Sequence, residues 1–209
     1  MRRAAMGIRV HSGWGALVAV SYSSGNIEIL DRRLLPITGT KDGASQPYHA
    51  ARNLQLSEAE TFIVNAFEAA HTAAASGLRE VIDVLRSQGY QIAGCAILMA
   101  AGRALPPLEK ILAAHPLLHM AEGVFFREAF AKACESNDVA VMKIKEHELE
   151  NALKEKLGRD AARVTKKVHL RGRVIGSPWT TDQKNAALAA LLVLLSNKTV
   201  KVSRSKLPA

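Results

Sequence analysis

Apolar and polar positions alternate closely over the first part of the chain. GIRVHSG (7–13), WGALVAVSYS (14–23) and NIEILDRRLL (26–35) are short β-rich runs, separated by a turn at Gly13 and by Ser24-Gly25-Asn26. Glycine and asparagine at such junctions mark tight hairpins, so three antiparallel strands are predicted in a meander. Residues 36–53, PITGTKDGASQPYHAARN, keep no period and are rich in Gly, Pro, Ser and Asp, which predicts a loop. Ser57-Glu58-Ala59-Glu60 carries the spacing of an N-cap and capping box. A long helix is expected from there to about Gln88, closed by Gly89.

The next stretch, YQIAGCAILMAAG (90–102), is apolar without alternation, the pattern of a strand covered on both faces. Pro106-Pro107 opens a helix to Ala114, His115-Pro116 interrupts it, and a second helix runs to about Ser136. AVMKIK (140–145) predicts a strand and HELENALKEKLG (147–158) a helix ending at its glycine. After a basic segment, SPWTTD (177–182) leads into the apolar QKNAALAALLVLLS, a final helix. The order β-β-β-α-β-α-β-α-α, with no internal repeat, predicts an α/β fold: a mixed five-stranded sheet, three antiparallel strands and then βα units, with helices on both faces.

Composition agrees with one folded unit. The 209 residues are 48% hydrophobic and 22% charged, the balance of a globular protein, and they suffice for a sizeable core. One domain spanning 1–209 is expected, with a basic tail from about 197 to 209; it folds alone or as a small oligomer, a dimer included. No apolar run is long enough to span a membrane, and MRRAAMGIRV has no apolar stretch or cleavage site behind its arginines, so a cytoplasmic protein without a membrane partner is expected. Cys95 and Cys134 have no metal-type spacing and are expected to be buried thiols.

Charge adds a partner. The net charge is +9, and the excess gathers in residues 158–173, where Arg159, Arg163, Lys166, Lys167, Arg171 and Arg173 face a single acid, and in the tail. Such clusters attract polyanions by releasing counterions, which predicts nucleic-acid binding by these six residues. The alternative is a solvated basic face.

The strand order, the IRVHSG-WGALVAVS junction and the DQKNAALAALLVLL helix together resemble the ribonuclease H-like superfamily, most closely its RuvC-like Holliday junction resolvases. In that family the first strand ends in an acid before a turn, and the last helix begins with two acids three positions apart. Here His11 stands at the first position, Asp182 matches the next, and Asn185 falls where the last acid belongs. The strand end ILMAAG (97–102) offers no acid. The family's two Mg²⁺ ions need several oxygen ligands, and imidazole is a poor substitute. The resemblance therefore implies a ribonuclease H-like fold without ordinary Mg²⁺-dependent cleavage.

That topology brings other residues to the same sheet edge: His49 from the loop after the third strand, and the helix after Pro116. His115, His119, Glu122 and Phe126 share one helical direction, so His119 and Glu122 are expected to point inward. His11, His49, His119, Glu122 and Asp182 then form a candidate pocket, with Trp14 and Trp179 flanking it and Asn185 behind. Its imidazoles and carboxylates suit general acid–base chemistry, with His11, His119, Glu122 and Asp182 as the catalytic candidates, or a divalent metal such as Zn²⁺ or Mn²⁺ whose identity the sequence leaves open. The structural alternative makes the histidines hydrogen-bonded core residues and the acids helix-start residues. Three functions follow: a nucleic-acid-binding protein with an altered site, an enzyme using the histidine-rich edge on a phosphoester or small substrate, and an assembly scaffold.

Overall fold

The computed structural model describes residues 2–39, 45–102 and 104–196, and of residues 172 and 173 the backbone alone. The tail expected over 197–209 lies outside the described residues, as does the side chain of Arg173. Within them the alternation of the first three runs becomes β1 (Arg2–His11), β2 (Trp14–Ser23) and β3 (Asn26–Pro36). Strands β4 (Tyr90–Met99) and β5 (Val141–Lys145) complete a five-stranded sheet of order β3-β2-β1-β4-β5. The meander is antiparallel, while β4 lies parallel to β1 and β5 parallel to β4. The two-residue turn between Ser23 and Asn26 has φ of 50° at Ser24 and 77° at Gly25, the left-handed pair that suits the twist of a hairpin.

Successive side chains of a strand point to opposite faces, and the central strands are buried on both. Met6, Ile8, Leu17, Ala19, Cys95 and Ile97 pack on one face against Leu78, Ile82, Phe126 and Phe130. These last belong to α2 (Leu56–Ser87) and α4 (His115–Ser136). On the other face Ala5, Val18, Val20, Ala96 and Leu98 meet α5 (Leu149–Leu157), α6 (Ala161–Leu170) and α8 (Thr181–Leu195). Helix α8 is apolar all round because the sheet covers one side and α5 and α6 the other; Ala186 through Val193 are all buried. It sits so close to β1 that a Cβ on Gly7 would lie 2.0 Å from the Ala186 carbonyl oxygen.

Three local expectations need correction. The segment 36–53 holds a short helix, α1 (Pro47–Ala51), started by its proline. The cap of helix α2 lies two residues before the expected one: Gln55 and Glu58 form the reciprocal box, and Ser57 lies inside the helix. The basic segment, for which the sequence pattern predicts no element, carries α6, whose Ala161, Val164 and Val168 make a buried stripe that the surrounding charges obscure in the sequence. Two short helices, α3 (Leu108–Ala113) and α7 (Gly172–Ile175), complete the order, and no helix among the described residues is long and apolar enough to cross a membrane.

Candidate functional site

The period of two along β1 decides what its carboxyl end presents. Ala5 faces the α8 side and Gly7 touches α8, so Arg9 and His11 follow on that same side. Helix α8 starts there, capped by Thr180, whose hydroxyl accepts the Asp182 N–H while Gln183 accepts the Thr180 N–H at 2.9 Å. This fixes Asp182 in the first turn, where a carboxylate is favoured by the helix dipole. Its carboxylate accepts from the Arg9 guanidinium and lies 3.3 Å from His11 Nε2. Glu146, directly after β5, accepts from Arg9 Nε at 2.9 Å and from Asn185 Nδ2 at 2.7 Å. His11 Nε2 is also 3.2 Å from Arg9 Nη1, and its ring stacks on Trp14 with centroids 4.2 Å apart.

Two carboxylates therefore share one guanidinium. Partial burial pulls the Arg9 pKa down, but hydrogen bonds and charge from Glu146 and Asp182 outweigh it and hold the group above its ordinary value. Nearby Arg127 is lowered, chiefly by burial and also by Arg9, with Glu146 opposing. The set does not fit two Mg²⁺ ions: the strand position offers imidazole, Asn185 is neutral, and both available acids already hold a fixed cation.

The second group forms on the opposite face of the sheet, where α1 meets the first turns of α4. Glu122 is buried at 1% exposure, and its Oε1 accepts from His49 Nδ1 at 2.8 Å and from the His49 backbone N–H at 3.3 Å. Its Oε2 faces His119 Nδ1 at 3.9 Å. The rings of His49, His115 and His119 stand 4.6 to 5.1 Å apart, centroid to centroid. Burial first, and then the Glu122 charge, push the neighbouring Tyr48 hydroxyl above its ordinary pKa.

The five residues expected to converge thus divide. Among the described residues no hydrogen bond or ion pair joins His11 and Asp182 to His49, His119 or Glu122. The expectation of an inward His119 also needs correction, since its side chain is 54% exposed while Glu122 alone turns into the core. Two bulky partners on one narrow stripe cannot both be buried beside Phe126, and the longer-reaching acid found the backbone and imidazole donors that burial demands.

The basic segment is partly committed to packing. Lys167 donates to the Gly25 carbonyl at 3.2 Å and to Asn26 Oδ1 at 3.1 Å, Arg171 to the Ile27 carbonyl at 2.7 Å, and Arg163 pairs with Asp160. The Lys167 and Arg171 bonds tie α6 to the β2–β3 hairpin, while the Arg163 pair stays within its own turn. Trp179 donates to the Val168 carbonyl at 3.0 Å, so its indole anchors the segment before α8. Arg32, unremarked in the sequence, gathers the carbonyls of Ile175, Gly176, Ser177 and Pro178. Arg159 and Lys166 instead line a cavity of about 790 Å³ between α5, α6 and α8, together with Lys154 and His169, over a floor of Leu149, Leu153 and Leu188. Glu146 and Asn185 also line it, so the cavity runs to the Arg9 cluster.

Sequence reasoning missed Arg9 and Glu146. The signal for Arg9 was its place two residues before His11, hence on the same strand face. The signal for Glu146 was its position just past β5, whose carboxyl end lies at the same edge as that of the parallel β1.

The whole chain is similar to two solved structures of Thermus thermophilus RuvC, one free and one in complex with a Holliday junction substrate. Each is 15% identical in sequence, with 92% of this chain and 93% of the other covered and a TM-score of 0.50. No family model matches the chain, and no curated protein does. The resemblance shows the fold.

Proposed function

From a ribonuclease H-like fold whose sheet edge is filled by an arginine, we propose that this chain binds nucleic acid without Mg²⁺-dependent cleavage. One observation carries the reading: Arg9 pairs with both Asp182 and Glu146, so the acids at this edge already hold a cation. A fixed guanidinium neutralises the carboxylates but cannot exchange, generate hydroxide or follow a leaving oxygen. What remains useful at this edge is charge and shape. The cavity beside it is rimmed by Arg159, Lys166 and Lys154, the net charge is +9, and a protein of the same fold is seen holding a Holliday junction substrate. Phosphate contacts by such cations position a nucleic acid without reading its sequence.

The test is a gel shift of the full chain with a four-way DNA junction and with linear duplex, at two salt concentrations, beside a cleavage assay in Mg²⁺. Salt-sensitive binding without cleavage is expected, weakened in Arg159→Gln/Lys166→Gln. Mg²⁺-dependent cleavage abolished by Asp182→Ala would overturn the reading, as would absence of binding to either DNA at low salt. A triple variant, Arg9→Ala/His11→Asp/Asn185→Asp, supplies oxygen ligands and removes the competing cation, and it is expected to gain Mg²⁺ affinity that the parent lacks.

A further inference from the structure

Away from the Arg9 cluster, the structure gathers three imidazoles where α1 meets the start of α4. His49 is half-buried and His115 and His119 are exposed, and one nitrogen from each lies within 4.8 Å of the others. His115 and His119 are one helical turn apart at the start of α4, so their rings stand side by side on a single surface. His49 enters from α1, which Pro47 starts and which packs on α4 through the apolar cluster of Ala51, Leu118 and Ala121. Two elements locked by a common core thus bring three imidazoles together. Exposed imidazoles gain nothing in stability from crowding of this kind.

The carboxylate behind them supplies an independent observation. Glu122 is buried and takes both the backbone N–H and the Nδ1–H of His49. That contact sets the His49 tautomer: with the proton on Nδ1, the Nε2 lone pair points away from the acid. His119 turns its Nδ1 toward the same carboxylate, leaving its own Nε2 outward. A buried acid that orients one or more imidazoles from behind is the usual arrangement around a histidine-bound metal, where it fixes the ring and raises its basicity. The Glu122 carboxylate thus touches two of the three rings, His49 directly and His119 at 3.9 Å.

We propose that His49, His115 and His119 bind a single Zn²⁺-class ion, with Glu122 as the orienting carboxylate. Zinc–nitrogen bonds of about 2.0–2.1 Å in a tetrahedron put donor atoms roughly 3.4 Å apart. The present separations of up to 4.8 Å close to that by side-chain rotation, since two of the three rings are free at the surface. Nitrogen donors select zinc, cobalt or nickel over magnesium and calcium. Three protein ligands leave one position of the tetrahedron for water or an external ligand, the coordination of reactive rather than purely structural zinc. The site is separate from the Arg9 cluster, so it stands or falls independently of nucleic-acid binding and of the missing Mg²⁺ chemistry.

The experiment is calorimetric titration of the untagged full chain with Zn²⁺, paralleled by Co²⁺ titration read in the visible spectrum. One ion per chain and a tetrahedral-type Co²⁺ band are expected. His115→Ala and His119→Ala, both exposed and so harmless to folding, should each weaken binding by about 100-fold or more, and Glu122→Gln by roughly 10- to 100-fold. Circular dichroism checks that Glu122→Gln folds; if it does not, the two histidine variants decide alone. No Zn²⁺ binding in the parent, or binding that survives both histidine substitutions unchanged, would overturn the site. Gel shifts run with and without Zn²⁺ separate the two proposals, because loss of the metal leaves the Arg9 edge intact.

Discussion

Arg9 shows how one side chain can tie two elements together, through Asp182 at the start of α8 and Glu146 after β5. Removing it costs Asp182 and Glu146 their shared guanidinium, so Arg9→Met is expected to destabilise the fold by about 1–2 kcal/mol, read by chemical denaturation. In a double-mutant cycle with Asp182→Asn the coupling should come to roughly 1 kcal/mol, since both groups keep some solvent contact. His169 gives a residue-scale pH dependence. Burial, and then the charge of Lys184, hold its pKa below the ordinary 6.5, so the folded chain takes up this proton less readily than the unfolded one. Its contribution is present above pH 6.5 and is lost as the pH falls from there through the depressed folded value. Stability measured between pH 7.5 and 5 should decline less steeply in His169→Gln, and an unchanged slope would show that the imidazole is not linked to folding.

Elements meet in this fold at distances only certain residues allow. A Cβ on Gly7 would strike the backbone of α8, at 2.0 Å from the Ala186 oxygen and 2.8 Å from the Ala190 nitrogen. Backbone cannot move aside as a flexible side chain can. Gly7→Ala should therefore cost about 3 kcal/mol or more and shift Asp182 away from Arg9, both visible in a thermal melt and a crystal structure of the variant. Helix α6 separates two uses of positive charge. Lys167 and Arg171 hold it to the hairpin, so Arg171→Ala should lower stability by about 1–2 kcal/mol. Arg159 and Lys166 face the cavity, so neutralising them should leave the melting temperature unchanged while weakening DNA binding.

Over the whole molecule, charge and topology act together. Parallel pairing of β1, β4 and β5 puts their carboxyl ends at one edge, the place where open α/β sheets hold ligands. On the proposed function, the net charge of +9 favours encounter with a polyanion and the cations of the cavity rim contact it. Each phosphate contact steepens the salt dependence by about 0.9 in log–log slope. Arg159→Gln/Lys166→Gln is accordingly expected to flatten the slope by roughly two such contacts, measured by fluorescence anisotropy between 50 and 200 mM salt. An unaltered slope would assign the binding charge to other cations.

The sequence by itself determined the strands and the main helices, because β-rich runs, turn residues and helix caps are local signals; that β1 and β2 are covered on both faces came from the packing of α2, α4 and α8. It also placed His11 and Asp182 at their element ends, since strand termini and helix caps are local. Only the tertiary structure decided what those ends meet. Arg9 reaches Asp182 across 173 positions and Glu146 across 137, and no local pattern carries such a distance. It was likewise packing between α1 and α4, through Ala51, Leu118 and Ala121, that drew His49 to His115 and His119 and away from His11. Side-chain direction along one helix stripe cannot say which of two polar residues wins the buried position; the available donors at His49 decided for Glu122.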